Sequence, residues 1–186
     1  MMDRNQAADD LQEIRAIMKR TRVAMGRRGG WFMVIGGVMW LLGFLGNHFL
    51  EEYLRGYWWG LLNMIFTPLT IGLAIRMGRT GEVRTSIWKP ITLFWMILMV
   101  YCVVMILVLN IQDEVGFGLF ILLCVGLGYA QLGLFGDPKM VFVGVGIIIL
   151  AVAAYFITPA HFYLAMAFLG GGLLIGSGLW YLRAGR

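Results

Sequence analysis

Residues 90–135 read PITLFWMILMVYCVVMILVLNIQDEVGFGLFILLCVGLGYAQLGLF. Two apolar runs, Pro90–Asn110 and Phe117–Phe135, are separated only by the six residues IQDEVG. Each run has the roughly 20 residues that an α-helix needs to cross a hydrocarbon core. Both are apolar on every side, so neither has a face suited to water. Neither alternates polar and apolar residues with a period of two, which excludes strands of a membrane barrel. The stretch therefore predicts a hairpin of two membrane-spanning helices, and it sets the reading of the rest of the chain.

Four further runs of the same kind lie on either side: Trp31–Leu50, Tyr57–Ile75, Met140–Ile157 and Phe162–Leu182. They are joined by EEYLRG, RMGRTGEVRTSIWK, GDPK and TPAH, and only the second of these exceeds a tight turn. Short links make sequential helices antiparallel neighbours. The expected fold is an all-α membrane protein whose residues 31–186 form six transmembrane helices in three in–out–in hairpins. Composition agrees: 60% of the 186 residues are hydrophobic and 13% charged, against about 45–50% and about 25% in soluble domains. Mean hydropathy is +0.81. The first apolar run is too long for a signal-peptide core and no small-residue cleavage site follows it, so the start of the chain is expected to be retained.

Positive charge sets the orientation. Of the 15 Lys and Arg, all but Arg55 fall before the first span, in the loops around residues 76–89 and 139, or after the last span. Glu51, Glu52, Asp113 and Glu114 fall on the other side. The positive-inside rule places the basic side, with both termini, in the cytoplasm. The sequence pI near 9.5 thus reflects topology and gives no reason to expect a nucleic-acid partner. Tyr53, Tyr57, Trp58, Trp59, Tyr155, Phe162 and Tyr163 are expected at the outer headgroup level, and Trp31, Trp88, Trp180 and Tyr181 at the inner one.

The span interiors hold no Asp, Glu, Lys, Arg or His near their middles. Proton relays and ion-coupled carriers generally need such residues despite their cost in lipid. Asn63, Thr67 and Pro68 in the second span, with Thr70 nearby, mark either a kink whose freed carbonyl a hydroxyl satisfies or a polar point on a transport pathway. His48 and His161 fall at the outer ends of spans, near Glu51 and Glu52, where imidazole and carboxylate are candidate ligands for a transition metal; scattered histidines at such positions are usually just interfacial. Cys102 and Cys124 lie inside apolar runs at similar depth and read as reduced, buried thiols. No metalloprotease helix, nucleophile elbow, phosphate loop or dinucleotide fingerprint is present, so neither an enzyme nor a bound cofactor is expected.

Twenty-six glycines predict close helix packing, since glycine lets backbones approach in lipid. Gly30 and Gly37, like Gly36 and Gly43, are spaced to give the first span a smooth flank. Gly172 and Gly176 form a G-x-x-x-G pair in the last span, suited to internal packing or to a homo-oligomer contact. Glycines recur in the inner halves of spans two, four and six, which is either a parallel three-hairpin repeat or the common look of membrane hairpins.

Ahead of all this lies DDLQEIRAIMKRTRVAMGRRGG, residues 9–30. Asp10 and Glu13 fit a capping box. Leu11, Ile14, Ile17, Met18 and Met25 make one apolar stripe, edged by Arg15, Lys19 and Arg22. This predicts a cytoplasmic amphipathic helix within residues 1–30 that lies on the lipid surface or docks in a partner's groove. The pattern Leu11-x-Glu13-Ile14-Arg15-x-Ile17-Met18-x-Arg20, followed by a Trp- and Gly-rich span, resembles the opening of a group of small, uncharacterised bacterial inner-membrane proteins. Some members of that group are encoded beside a winged-helix transcriptional regulator, so the resemblance implies a cytoplasmic regulatory partner. It brings no catalytic residue.

Overall fold

The computed structural model describes residues 29–79, 88–111, 113–135 and 137–184. The expected amphipathic helix, with Leu11, Ile14, Arg15, Met18, Lys19 and Arg22, lies outside the described residues. Those that are described form six helices and no strand: α1 Gly29–Phe49, α2 Glu52–Arg79, α3 Trp88–Leu109, α4 Glu114–Phe135, α5 Lys139–Ile157 and α6 Pro159–Ala184. Five of them are long and apolar enough to cross a membrane, and α3 adds a shorter apolar stretch, Leu93–Leu109.

Helix ends follow local chemistry. Asn110 takes the left-handed conformation (φ 47°) and stops α3, a role in which Asn is second only to Gly. Asp113 caps α4: its Oδ2 accepts the Gly116 N–H at 2.6 Å and its carbonyl accepts that of Phe117 at 2.8 Å. The Asp137 carboxylate accepts the Lys139 N–H at 3.1 Å where α5 begins. The segment EEYLRG, expected to be a connection, is mostly helical, because the Leu54 N–H reaches the Glu51 carbonyl and starts α2 at Glu52. α6 opens with a 3-10 turn at Pro159–His161 and widens to a π turn at Met166–Gly170. Beyond the π turn, Gly171 and Gly178 meet α1.

Four helices share the core. Met33 and Phe44 of α1, Leu122 of α4, Ile147 and Ala151 of α5, and Phe162, Met166 and Leu174 of α6 are all buried. Glycines set the separation of these helices. A Cβ added to Gly30 would lie 2.8 Å from the Gly178 oxygen, and one on Gly178 would lie 2.6 Å from that of Gly30. α4 and α5 meet in the same manner: a Cβ on Gly126 would lie 2.9 Å from the Gly144 oxygen.

The other two helices are peripheral. Only 6% of the α2 span is buried, against 39% of α6. α3 packs on α4 through a small cluster of Leu98, Cys102 and Cys124, both cysteines being free thiols. The remaining surfaces of α2 and α3 expose large apolar residues such as Met64, Ile65, Ile97, Val100, Leu107 and Val108. Apolar surface of this extent suits hydrocarbon and not water.

Candidate functional sites at the two ends of the bundle

The end that carries Glu114 is the more elaborately tied. Arg55 of α2 pairs with the Glu114 carboxylate of α4, and its Nε donates to the Leu50 carbonyl at 3.1 Å. Trp58 and Trp59, expected as interfacial anchors, pack between α2 and α1. Their rings fill the space beside Gly46 and Gly43 of α1. The Trp58 indole N–H donates to the Leu42 carbonyl at 3.0 Å, and that of Trp59 to Asn47 Oδ1 at 2.8 Å. Trp40, Phe44, Trp59 and Tyr163 continue inward as a chain of edge and stacked ring contacts centred on Phe44. Phe162, also expected at the interface, is fully buried.

His48 and His161 come together at this end. Their ring centroids are 6.0 Å apart with the planes inclined at 60°. His161 is exposed and His48 half-buried, while Glu51 and Glu52 are exposed. Among the described residues no group of three or more His, Cys, Asp or Glu is placed to hold a metal ion. The structure thus joins the two histidines and does not add Glu51 or Glu52 to them as a third ligand.

Asn63, Thr67 and Pro68 occupy an exposed face of α2. Asn63 Nδ2 donates to the Trp59 carbonyl at 2.8 Å, and Thr70 Oγ1 to that of Phe66 at 2.7 Å. Pro68 withdraws the N–H that the Met64 carbonyl would otherwise receive, yet α2 continues through it to Arg79. Asn63 and Thr70 thus bond to their own helix.

The opposite end carries a groove of about 620 Å³ between α5 and α6. Its lining combines apolar Phe142 and Leu173, the two glycines Gly172 and Gly176, and the polar or amphipathic Lys139, Ser177 and Trp180. The Lys139 ammonium lies 4.1 Å from the Trp180 ring centre, a cation–π contact. A Cβ on Gly172 or Gly176 would meet nothing within 4 Å. Among the described residues the G-x-x-x-G pair singled out in the sequence is therefore not packed against; Gly171 and Gly178, on the other side of the helix, are. Tyr181, expected at the interface, is buried between these surfaces. The groove itself was not legible in the sequence, because the apposition of Lys139 and Trp180 depends on how α5 packs against α6.

The Ser177 hydroxyl lines the groove, and among the described residues that line it there is no histidine or carboxylate. The chain matches no protein-family model, no curated protein and no solved structure.

Proposed function

We propose that the chain is a polytopic inner-membrane protein without catalysis of its own, acting as a sensor-like or accessory module for a cytoplasmic partner. In this reading α3 is the sixth span: at about 1.5 Å per residue, its 22 residues are long enough. The helices form three in–out–in hairpins, with both termini and the Lys139 groove in the cytoplasm and the histidine pair outside. The N-terminal amphipathic helix and the basic loop 76–89 are the surfaces offered to the partner.

The observation that carries the reading is the character of the core. Met33, Leu122, Ile147, Met166 and Leu174 are no more than 1% exposed, and apart from the Tyr181 hydroxyl the shared cluster is wholly apolar. A pathway for a polar solute needs polar lining, and Asn63 and Thr67, the candidates for one, lie on the surface of α2. A small transporter and a structural subunit of a larger complex are the competing readings.

Deleting residues 2–24 decides between them. The deletion leaves Arg27 and Arg28 to hold orientation, so the bundle is expected to insert and fold while partner recovery from native membranes in mild detergent is lost. Leu11→Asp, Ile14→Asp and Met18→Asp together should reproduce that loss, because either surface or groove binding buries the apolar stripe. Changing Arg15, Lys19 and Arg22 to Gln weakens attachment in a salt-dependent way if lipid is the target, at about 1 kcal/mol per basic residue. Full partner recovery by the truncated chain refutes the proposal.

A further inference from the structure

We infer that His48 and His161 together bind one divalent transition cation of the imidazole-seeking kind, such as Zn²⁺, Ni²⁺ or Cu²⁺. The site lies between the end of α1 and the turn that opens α6, and it does not depend on the N-terminal helix reading.

The geometry comes first. A nitrogen–zinc bond of about 2.0–2.1 Å puts the imidazole centre about 3.2 Å from the ion, so two rings on one tetrahedral ion have centres about 5.2 Å apart. The observed 6.0 Å exceeds this by less than 1 Å, a gap that a small side-chain rotation would close. Any residual adjustment falls to His161, whose side chain is exposed.

The backbone under both rings is fixed. The Leu50 N–H bonds to the Gly46 carbonyl at 2.8 Å, and Asn47, next to His48, accepts from the Trp59 indole at 2.8 Å. Phe49 packs edge-on against the His48 ring, with centroids 4.8 Å apart. On the other side the His161 N–H donates to the Thr158 carbonyl at 2.9 Å, across a turn in which Pro159 has a restricted φ. Two ligands brought from distant parts of the sequence onto anchored backbone have lost most of the freedom that ion binding would otherwise remove.

Charge and ligand type select the ion. This end of the bundle carries Glu51, Glu52, Asp113 and Glu114, and Arg55 is already paired with Glu114, so the local field favours a cation. Imidazole nitrogen suits zinc, nickel and copper, whereas calcium and magnesium prefer oxygen. Two protein ligands leave the remaining positions to water or to a small external ligand. The ion would tie α1 to α6 at the end remote from their Gly30–Gly178 contact.

The test uses the full chain in detergent with every purification tag removed, titrated with Zn²⁺ and Cu²⁺ and with Mg²⁺ as control. Wild type should take up one ion of Zn²⁺ or Cu²⁺ per chain, with a rise in melting temperature that Mg²⁺ does not give. The Cu²⁺ resonance spectrum should show coupling to the nitrogens of two imidazoles. His48→Ala and His161→Ala should each abolish saturable uptake, and His161→Cys should restore Zn²⁺ binding where His161→Asn does not. If the half-buried His48 proves intolerant of change, His161→Ala and His161→Cys carry the test alone. No saturable uptake by wild type, one ion shared by two chains, or unchanged uptake in His161→Ala would each overturn the assignment.

Discussion

Gly37 of α1 and Gly171 of α6 face each other so closely that a Cβ on either would meet the other's carbonyl oxygen, at 2.9 and 3.0 Å. Gly30 and Gly178 repeat the relationship seven residues away on each helix. A spacing of seven returns a helix to nearly the same face, so two antiparallel helices touch twice along one seam. Helices in lipid gain no hydrophobic drive from meeting each other, and close van der Waals approach takes its place.

The seam predicts an asymmetry among neighbouring glycines. Gly37→Leu or Gly171→Leu should force the helices apart, with a loss of about 1–3 kcal/mol or more from overpacking. Gly172→Leu, one residue on, has open space in front of it and should leave the folded chain intact. Thermal unfolding in detergent, followed by the fluorescence of the tryptophans, makes the comparison. Equal loss in the Gly171 and Gly172 variants would contradict the seam.

The open Gly172–Gly176 face makes its own prediction. If that face mediates self-association, Gly172→Leu with Gly176→Leu should shift the detergent-solubilised protein from dimer to monomer without changing its melting temperature. A monomeric wild type, or a dimer that survives both changes, removes the face from consideration as a homo-oligomer contact.

The Arg55–Glu114 pair ties α2, which buries little else, to α4. Both side chains are partly exposed, at 26% and 43%, so solvent screens them and a coupling of about 0.2–1 kcal/mol is expected. A double-mutant cycle with Arg55→Gln and Glu114→Gln measures it, and added salt should reduce it. A coupling near zero would leave α2 held by the packing of Trp58, Trp59 and the buried Leu62.

These contacts show where the sequence was informative and where it was not. Helix existence was legible, because a run such as residues 90–110 is apolar on every side and that alone excludes water and barrel alternatives. Helix ends were legible only in part. IQDEVG was seen as a turn, but Asp113 as a cap and Asn110 in the left-handed conformation depend on backbone geometry that composition does not state. EEYLRG was misjudged as a connection, since charge at a helix start resembles charge in a loop. Faces were the least legible. In lipid an all-apolar helix has no polar side to orient it, so nothing in the pattern showed that Gly171 packs and Gly172 does not. The meeting of His48 with His161 was hidden for the same reason: their common end followed from topology, and their contact required α1 to lie against α6.

Cys102 and Cys124 lie in one buried cluster between α3 and α4 as free thiols. They should resist membrane-impermeant thiol reagents in the folded protein and react fully once it is unfolded. A Cys102→Ala, Cys124→Ala chain should insert and fold, with a modest loss of stability from the two small cavities, about 1 kcal/mol each. Loss of folding or of function in this variant would show that the thiols do more than pack.

The orientation of the bundle is open to a direct test. Of the 15 Lys and Arg in the chain only Arg55 falls in the segments that flank Glu52 and Glu114, and on that bias the proposed topology puts this side at the exterior. In a cysteine-free background, single cysteines at Asp113 or Ala160 should react with an impermeant reagent added to intact cells. A cysteine at Gly81 should react only after the membrane is opened. The connections are short, so the exception that long loops make to the charge rule does not apply. Moving one charge should therefore not invert the chain, whereas removing Arg27, Arg28, Arg76 and Arg79 together should produce a mixed population. External labelling at position 81 in the unaltered background would break the alternation of six spans, and with it the placement of the histidine pair outside and of the N-terminal helix within the cytoplasm.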